Sequence, residues 1–336
     1  MDDKASGPVL CFGEVLLRLA VPGGGRLANA SDFAGQVGGS EANVGAVLAQ
    51  LGHEVDMITA LPTSGLGDLC EGELRRTGIR TGNVLRADGR LGLYFHEPVP
   101  GAGRIIYDRG HSVFAQNADR FDWSGFASTA RWFHLSGINL ALGGKPAEAA
   151  FTAAEAMLAA GVPISFDVNH RTSLWEGRSA EEVDRVKTLV GMATLLFASP
   201  HDVSRVLGKS FENDRPRAAE AAFAAFAAFG RLETIASTRR SNDGHGQRLS
   251  ARVDQRAFSH ETKAARLGQA IDRIGSGDAF AGAVIDGLLR KLALEGCAKQ
   301  GLAAAVMKHA IKGDRWIGTR AELQEFDPFD AGDVRR

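Results

Sequence analysis

Apolar and polar positions follow two styles along this chain. From Arg131 onward, short apolar runs alternate with longer stretches of helical period. RWFHLSGI, VPISFDVN, TLLFASP and LETIAST read as strands, and KPAEAAFTAAEAMLAAG, SAEEVDRVKTLVGMA and RAAEAAFAAFAAFG as the helices around them. In the last of these, Phe223, Phe226 and Phe229 fall on one side, which predicts core packing. Strands alternating with helices predict parallel crossovers and a sheet covered on both faces. Such sheets bind ligands beyond the carboxyl ends of their strands.

Before Arg131 the pattern is less regular. VLCFGEVLLRL predicts a strand bent or bulged at Gly13-Glu14, and VPGGGRL a turn. SDFAGQVGGSEANVGAVLAQLG runs from a short strand through Gly38-Gly39 into a helix. Ala42, Val44, Ala46, Val47 and Leu48 give that helix its small apolar surface, and Leu51-Gly52 ends it. HEVDMITAL reads as a strand, GDLCEGELRRTGI as a helix and GNVLR as a short strand. LGLYFHEPVPGAGRIIYDRG predicts two strands joined by a Pro/Gly turn, a partly exposed hairpin flap. The final DPFDAGDVRR predicts a loose tail from residue 326.

Composition narrows the function classes. The 336 residues suit one large α/β domain with an appendage, and 44% hydrophobic with 24% charged residues is ordinary for a soluble protein. A formal net charge of −1 provides no global field for nucleic acid or an anionic membrane. Anion binding must therefore come from local geometry. Cys11, Cys70 and Cys297 stand far apart with no CxxC pair, which fits a reducing compartment and a cytoplasmic location. The N-terminal apolar run is broken at Gly13 and Glu14, so it reads as a strand and not as a signal peptide. No apolar stretch reaches membrane-spanning length. His96, His111 and His134 show no metal-ligand spacing.

The chemistry concentrates in IDRIGSGDAFAGAV, Ile271 to Val284. Gly275 and Gly277 permit positive φ and close approach of backbone amides to a ligand. A helix beginning near Ser276 or Asp278 would leave its first N–H groups without internal partners, at the positive end of its dipole. That is a place for phosphate, and for negative charge developing on a transferred phosphoryl group. Asp278, ionised beside those amides, could take a proton from an attacking hydroxyl. The competing reading is an N-capping Asp on a buried helix, with glycines for a tight turn. No Gly-Lys-Ser/Thr follows, so this is not a Walker A loop.

Asp272 to Phe280 resembles the C-terminal signature of ribokinase-like carbohydrate kinases, usually Asp-Thr-x-Gly-Ala-Gly-Asp-Ala-Phe. Gly38-Gly39-Ser40-Glu41-Ala42-Asn43-Val44-Gly45 resembles the same family's N-terminal signature. Within the family the chain is most similar to the 2-keto-3-deoxygluconate kinases, through CFGEVLLRL with PGGGRL, IIYDRGHS, FDVNHRTSLW and KHAIKGD. The resemblance implies a three-layer α/β/α fold over residues 9–325. Its central sheet would be mostly parallel, and a small β lid would be formed by about 15–37 and 90–110. It implies transfer of the γ-phosphoryl of ATP, with Mg2+, to the C6 hydroxyl of the keto acid. Asp278 matches the base, and Gly275, Ser276 and Gly277 the anion hole.

The same resemblance implies substrate contacts at Gly38, Gly39, Asn43, Tyr94, Tyr107, Arg109, Asp167, Asn169 and Arg171. Arg109 and Arg171 are fixed cations able to hold a carboxylate through paired N–H bonds, which favours a sugar acid over a neutral sugar. Tyr94 and Tyr107, the only tyrosines, both fall in the flap. Asp167 and Asn169 could orient Arg171, touch substrate or cap the next element. Fructose or another neutral sugar is the alternative substrate class, and a non-catalytic sensor the alternative from another class. A dimer or larger homo-oligomer is expected from an exposed lid edge.

Some positions depart from the family pattern. Where Asn-x-x-Glu is usual, this chain has Ser199-Pro200-His201-Asp202, leaving Asp202 as a shorter, water-bridged Mg2+ contact. STRRSNDGHGQRL stands at the Gly-rich nucleotide turn, with Thr238, Arg239 and Arg240 as phosphate contacts. Lys308 and His309 match the adenine end. Arg273 and Ile274 replace a small polar pair whose backbone carbonyls could still hold a monovalent cation.

Overall fold

The computed structural model describes residues 7–97, 103–175, 180–211, 215–244 and 246–330. The Pro/Gly turn of the expected flap and residues 331–336 of the expected tail lie outside these. In chain order the strands among the described residues are β1 (Val9–Phe12), β2 (Leu16–Ala20), β3 (Ala34–Gly38), β4 (Val55–Pro62), β5 (Val84–Ala87), β6 (Leu93–Glu97), β7 (Arg104–Asp108), β8 (Trp132–Ser136), β9 (Ile164–Asp167), β10 (Leu195–Phe197), β11 (Thr234–Asn242), β12 (Gln247–Gln255), β13 (Ser259–Glu261) and β14 (Ala265–Arg266).

The large sheet has the order β13-β12-β11-β10-β9-β8-β1-β4-β5, with β14 also paired to β12. From β11 to β5 every pairing is parallel. The central strands are buried on both faces and mostly apolar; all eight residues of β4 are buried. Alternation divides each strand between two cores. Leu10 and Phe12 pack with the helix Gly144–Ala159, and Val9 and Cys11 with the helices Ser40–Gln50 and Ser276–Leu289 on the other face. This is the three-layer α/β/α fold expected from the sequence.

Three details differ from the sequence reading. VLCFGEVLLRL is not one bent strand: β1 belongs to the large sheet and β2 to the lid, and the chain changes sheets at Gly13-Glu14-Val15. STRRSNDGHGQRL is mostly strand, not turn. It continues β11 and returns as antiparallel β12, pairing Thr234 with Gln255 through Asn242 with Gln247. Phe223 is 75% exposed while Phe226 and Phe229 are buried. Steps of three residues drift about 60° around a helix, so the three rings do not share one stripe.

The lid is the sheet β3-β2-β6-β7. Its hairpin pairs Tyr94 with Tyr107, β2 pairs antiparallel with β3, and β2 runs parallel to β6. No helix among the described residues is long and apolar enough to cross a membrane.

Candidate active site

The chain moves outward from β1 in both directions, to β4 and β5 on one side and to β8 through β11 on the other. The strand order therefore reverses at β1, and a crevice opens beyond the carboxyl ends. There, beneath the lid, lies a cavity of about 500 Å3. Its walls carry Glu14 after β1, Asp167 and Asn169 at the end of β9, Ser199 and Asp202 after β10, Thr238 and Arg240 on β11, and Tyr94, Tyr107 and Arg109 from the lid.

The helix Ser276–Leu289 points its N-terminus into this cavity. Its cap, Gly275, has φ 82°, the left-handed region, and a side chain there would overlap the Asp314 carbonyl oxygen. Nothing lies within 4 Å of a Cβ built on Gly277, which faces the open cavity. The amides of Gly277 and Asp278 donate to no protein acceptor among the described residues.

Asp278 is 8% exposed and lies against the cavity, not remote from it. Its Oδ1 accepts the Ser40 hydroxyl at 2.8 Å, and its Oδ2 accepts Asn43 Nδ2 at 2.7 Å. Both donors sit on the first turn of the helix Ser40–Gln50, one turn apart and hence on one face. Burial raises the carboxyl's pKa, while Asn43, Ser40 and Arg171 favour its ionised form. Asn169 Nδ2 donates to Ser40 Oγ at 2.8 Å, and the Asn169 amide to Asp167 Oδ1 at 2.9 Å. Asn169 holds φ at 43°, uncommon for a residue with a side chain, so its amide group is placed at some backbone cost. Asn43 Oδ1 and Asn169 Oδ1 are buried without partners among the described residues, two acceptors available to ligand hydroxyls.

Two further acids flank this chain of bonds. Burial pushes Asp167 up to about 8, Asp278 adds to the effect and Arg171 opposes it. Burial also pushes Glu41 up to about 7, against donors from Ser136. Glu41 Oε1 accepts the Ser136 amide, the Ser136 hydroxyl and Asn139 Nδ2. Arg171 is exposed on the cavity wall and forms no ion pair among the described residues.

Several expected contacts are placed differently. Arg109 is buried, and its Nε and Nη2 both lie 2.6 Å from Glu14 Oε2, so its charge is already matched. Its Cζ stands 5.6 Å from the Tyr107 ring centroid. Tyr94 lines the cavity, but its hydroxyl donates to Asp314 Oδ2 at 2.5 Å. Gly38 packs on the Asp314 carboxylate, leaving Gly39, with φ 141°, as the glycine at the cavity. Arg239 alternates away from Thr238 and Arg240 to pair with Glu261 on β13. Lys308 is fully buried, and its Nζ donates to the Ile311 carbonyl, away from the cavity. His309 touches the site only through Arg240, whose Nη2 lies 3.0 Å from His309 Nε2 and 3.3 Å from Ser276 Oγ. Asp202 Oδ2 accepts the amide and hydroxyl of Ser199 as a helix capping box.

Helix-start amides without protein acceptors and the buried Asp278 thus meet at the switch point of a doubly wound sheet, under a lid, an arrangement suited to phosphoryl transfer to an alcohol. Sequence comparison reaches the same class: residues 8–314 match the pfkB family of carbohydrate kinases, and the chain belongs to that family. It is 28% identical over 318 residues to a 2-dehydro-3-deoxygalactonokinase of Haloferax volcanii, covering 94% of this chain and 95% of that one. It is 25% identical over 322 residues to a 2-dehydro-3-deoxygluconokinase of Bacillus subtilis, covering 94% of each. The crystal structure of a 2-dehydro-3-deoxygluconokinase from Thermotoga maritima superposes with a TM-score of 0.88 at 32% identity, covering 95% of this chain and 98% of that one. The protein is a carbohydrate kinase.

Proposed function

We propose that the protein transfers the γ-phosphoryl group of ATP to the terminal C6 hydroxyl of 2-keto-3-deoxygluconate or its galactonate-derived epimer. The observation that carries this reading is Asp278 beside the unpartnered amides of Gly277 and Asp278. The substrate hydroxyl gives its proton to the Asp278 carboxylate as its oxygen bonds to the γ-phosphorus. The bond from that phosphorus to the bridging oxygen breaks, and ADP leaves with the electron pair. Negative charge on the equatorial oxygens meets the helix-start amides and the dipole behind them.

Arg171 supplies a planar pair of donors for the keto acid's carboxylate, and Asn43 and Asn169 accept from its hydroxyls. Arg240, Thr238 and Ser199 line the part of the cavity proposed for the phosphates of ATP. Asp202 is the acid placed to hold Mg2+ through water; its Oδ2 is occupied by Ser199, and its Oδ1 is 3.5 Å from Arg205. A single indirect carboxylate fits an ion that keeps most of its waters and binds chiefly through phosphates, whose charge it neutralises when bound. The Arg273 and Ile274 carbonyls are the place for a monovalent cation. The edges of β3 and β7 support pairing of two copies.

The test is ADP release in a coupled assay with both keto-deoxy acids and with fructose. Turnover of a keto acid, abolished in Asp278→Asn while nucleotide still raises the melting temperature, supports the reading. Preference for fructose, or full turnover by Asp278→Asn, refutes it.

A further inference from the structure

Arg18 lies on lid strand β2, yet its guanidinium reaches the body of the protein. Nη1 donates to Asp272 Oδ2 at 2.6 Å and to Asp314 Oδ1 at 2.9 Å, and Nη2 lies 2.7 Å from His96 Nδ1 on β6. All three charged side chains are nearly buried. Burial and the neighbouring Arg18 lower the His96 pKa, which suits a neutral ring accepting from the guanidinium.

Both acids meet the loop that precedes the helix Ser276–Leu289, Asp272 through its carboxylate and Asp314 through its backbone carbonyl. Asp272 Oδ1 accepts the Ile274 amide at 3.1 Å, and Asp272 Oδ2 accepts the Gly313 amide at 3.1 Å. The Asp314 carbonyl is packed so closely on Gly275 that only glycine fits. The Asp314 carboxylate meanwhile accepts the hydroxyl of lid residue Tyr94. The lid and the anion-binding loop thus share one set of ionic hydrogen bonds with Arg18 at its centre.

A need for stability does not explain this arrangement. Buried ion pairs are often replaceable by apolar residues without loss, and the Arg18 Nε is left buried without a partner among the described residues. A guanidinium held from the lid by His96 and from the body by Asp272 and Asp314 is instead a means of making the positions of lid and loop depend on each other.

We propose that Arg18 is a positioning residue that couples the lid to the Gly275–Gly277 loop, so that sugar acid bound under the lid sets the loop for the nucleotide's phosphates. This rests on the kinase reading of the cavity. It implies that sugar acid and nucleotide tighten each other's binding, because both favour the same lid and loop arrangement.

Calorimetric titration reads the coupling directly. A non-hydrolysable ATP analogue is titrated into full-length protein with and without the keto acid turned over by the wild type. Wild type should show at least about fivefold tighter nucleotide binding when the acid is present. Arg18→Gln should bind each ligand alone within about threefold of wild type, with the mutual enhancement reduced to near one. Tyr94→Phe, which removes one lid bond and no charge, should show an intermediate value, and it carries the test if Arg18→Gln does not fold. Undiminished enhancement in Arg18→Gln, or in Tyr94→Phe where only that variant folds, overturns the proposal. So does a wild type without enhancement. Either result can coexist with normal wild-type turnover, which leaves the kinase reading standing; a wild type that phosphorylates no sugar acid refutes that reading as well.

Discussion

Asn43 Nδ2 lies 2.7 Å from Asp278 Oδ2, joining two helix starts that are 235 residues apart in the chain. The bond orients the carboxylate and favours its ionised form. A hydrogen bond to a charged group contributes about 1.5–3 kcal/mol, which corresponds to roughly 10- to 100-fold in rate. Asn43→Ala should lower kcat by that factor. It should also move the acidic limb of the pH–rate profile upward, because loss of a donor raises the Asp278 pKa further and the base must be ionised to act. A limb unmoved in Asn43→Ala would contradict the assignment of Asp278 as base.

The acids around this pair make stability depend on pH. Glu41 is pushed up to about 7 by burial, from an ordinary value near 4.5. A carboxyl with a raised folded pKa binds its proton more tightly in the folded state. Its contribution is therefore complete below about pH 4.5 and lost as pH rises through about 7. Asp167, pushed up to about 8, acts in the same direction. The melting temperature of the ligand-free protein should fall between pH 5 and 8. Glu41→Gln keeps an acceptor for Ser136 and Asn139 but cannot ionise, so its melting curve should fall less steeply. Equal slopes for the two proteins would show that Glu41 does not titrate in this range.

The helix start at Gly275 and the parallel layers were legible because each rests on local pattern: glycines before an apolar helix, and apolar runs between helical periods. The contacts of Asp278 were half legible. Asn43 stood out, though as a substrate contact and not as a partner of Asp278, whereas Ser40 was overlooked although its spacing from Asn43 puts both on one helical face. What the sequence hid depends on the partner across the fold. Arg109 and Arg171 look alike in a string of letters, and only the buried Glu14 separates them. Arg239 looked like a phosphate contact until a long β11 imposed alternation. Arg18, Asp272 and Asp314 each fall in a stretch that carries the family resemblance, yet nothing in the string of letters shows that the three meet.

That difference between the two arginines is measurable. Arg171→Ala removes an exposed cation at the cavity, so it should fold normally and lose roughly 10- to 100-fold in kcat/KM for the keto acid, by the strength of a charge-assisted bond. Turnover of a neutral sugar, if any is detectable, should be little affected. Arg109→Ala leaves Glu14 buried with only the Ser112 hydroxyl for company. It should destabilise the protein by about 3–5 kcal/mol, seen as a large fall in melting temperature. The reverse pattern, a stable Arg109→Ala with selective loss of acid turnover, would return Arg109 to the substrate site.

The two glycines of the anion loop should respond to the same substitution in different ways. At Gly275 a methyl group meets the Asp314 carbonyl and the backbone is left-handed, so Gly275→Ala combines overlap with backbone strain. It should lower the melting temperature and abolish turnover together. At Gly277 a methyl group meets no protein atom within 4 Å, and the backbone is ordinary helix. Alanine is also the better helix former by roughly 0.5–1 kcal/mol. Gly277→Ala should therefore melt at or above the wild-type temperature. If the cavity beside it receives the phosphates of ATP, the methyl group occupies their space and KM for ATP should rise by an order of magnitude or more. A Gly277→Ala protein of normal stability and unchanged KM for ATP would mean that the phosphates bind elsewhere.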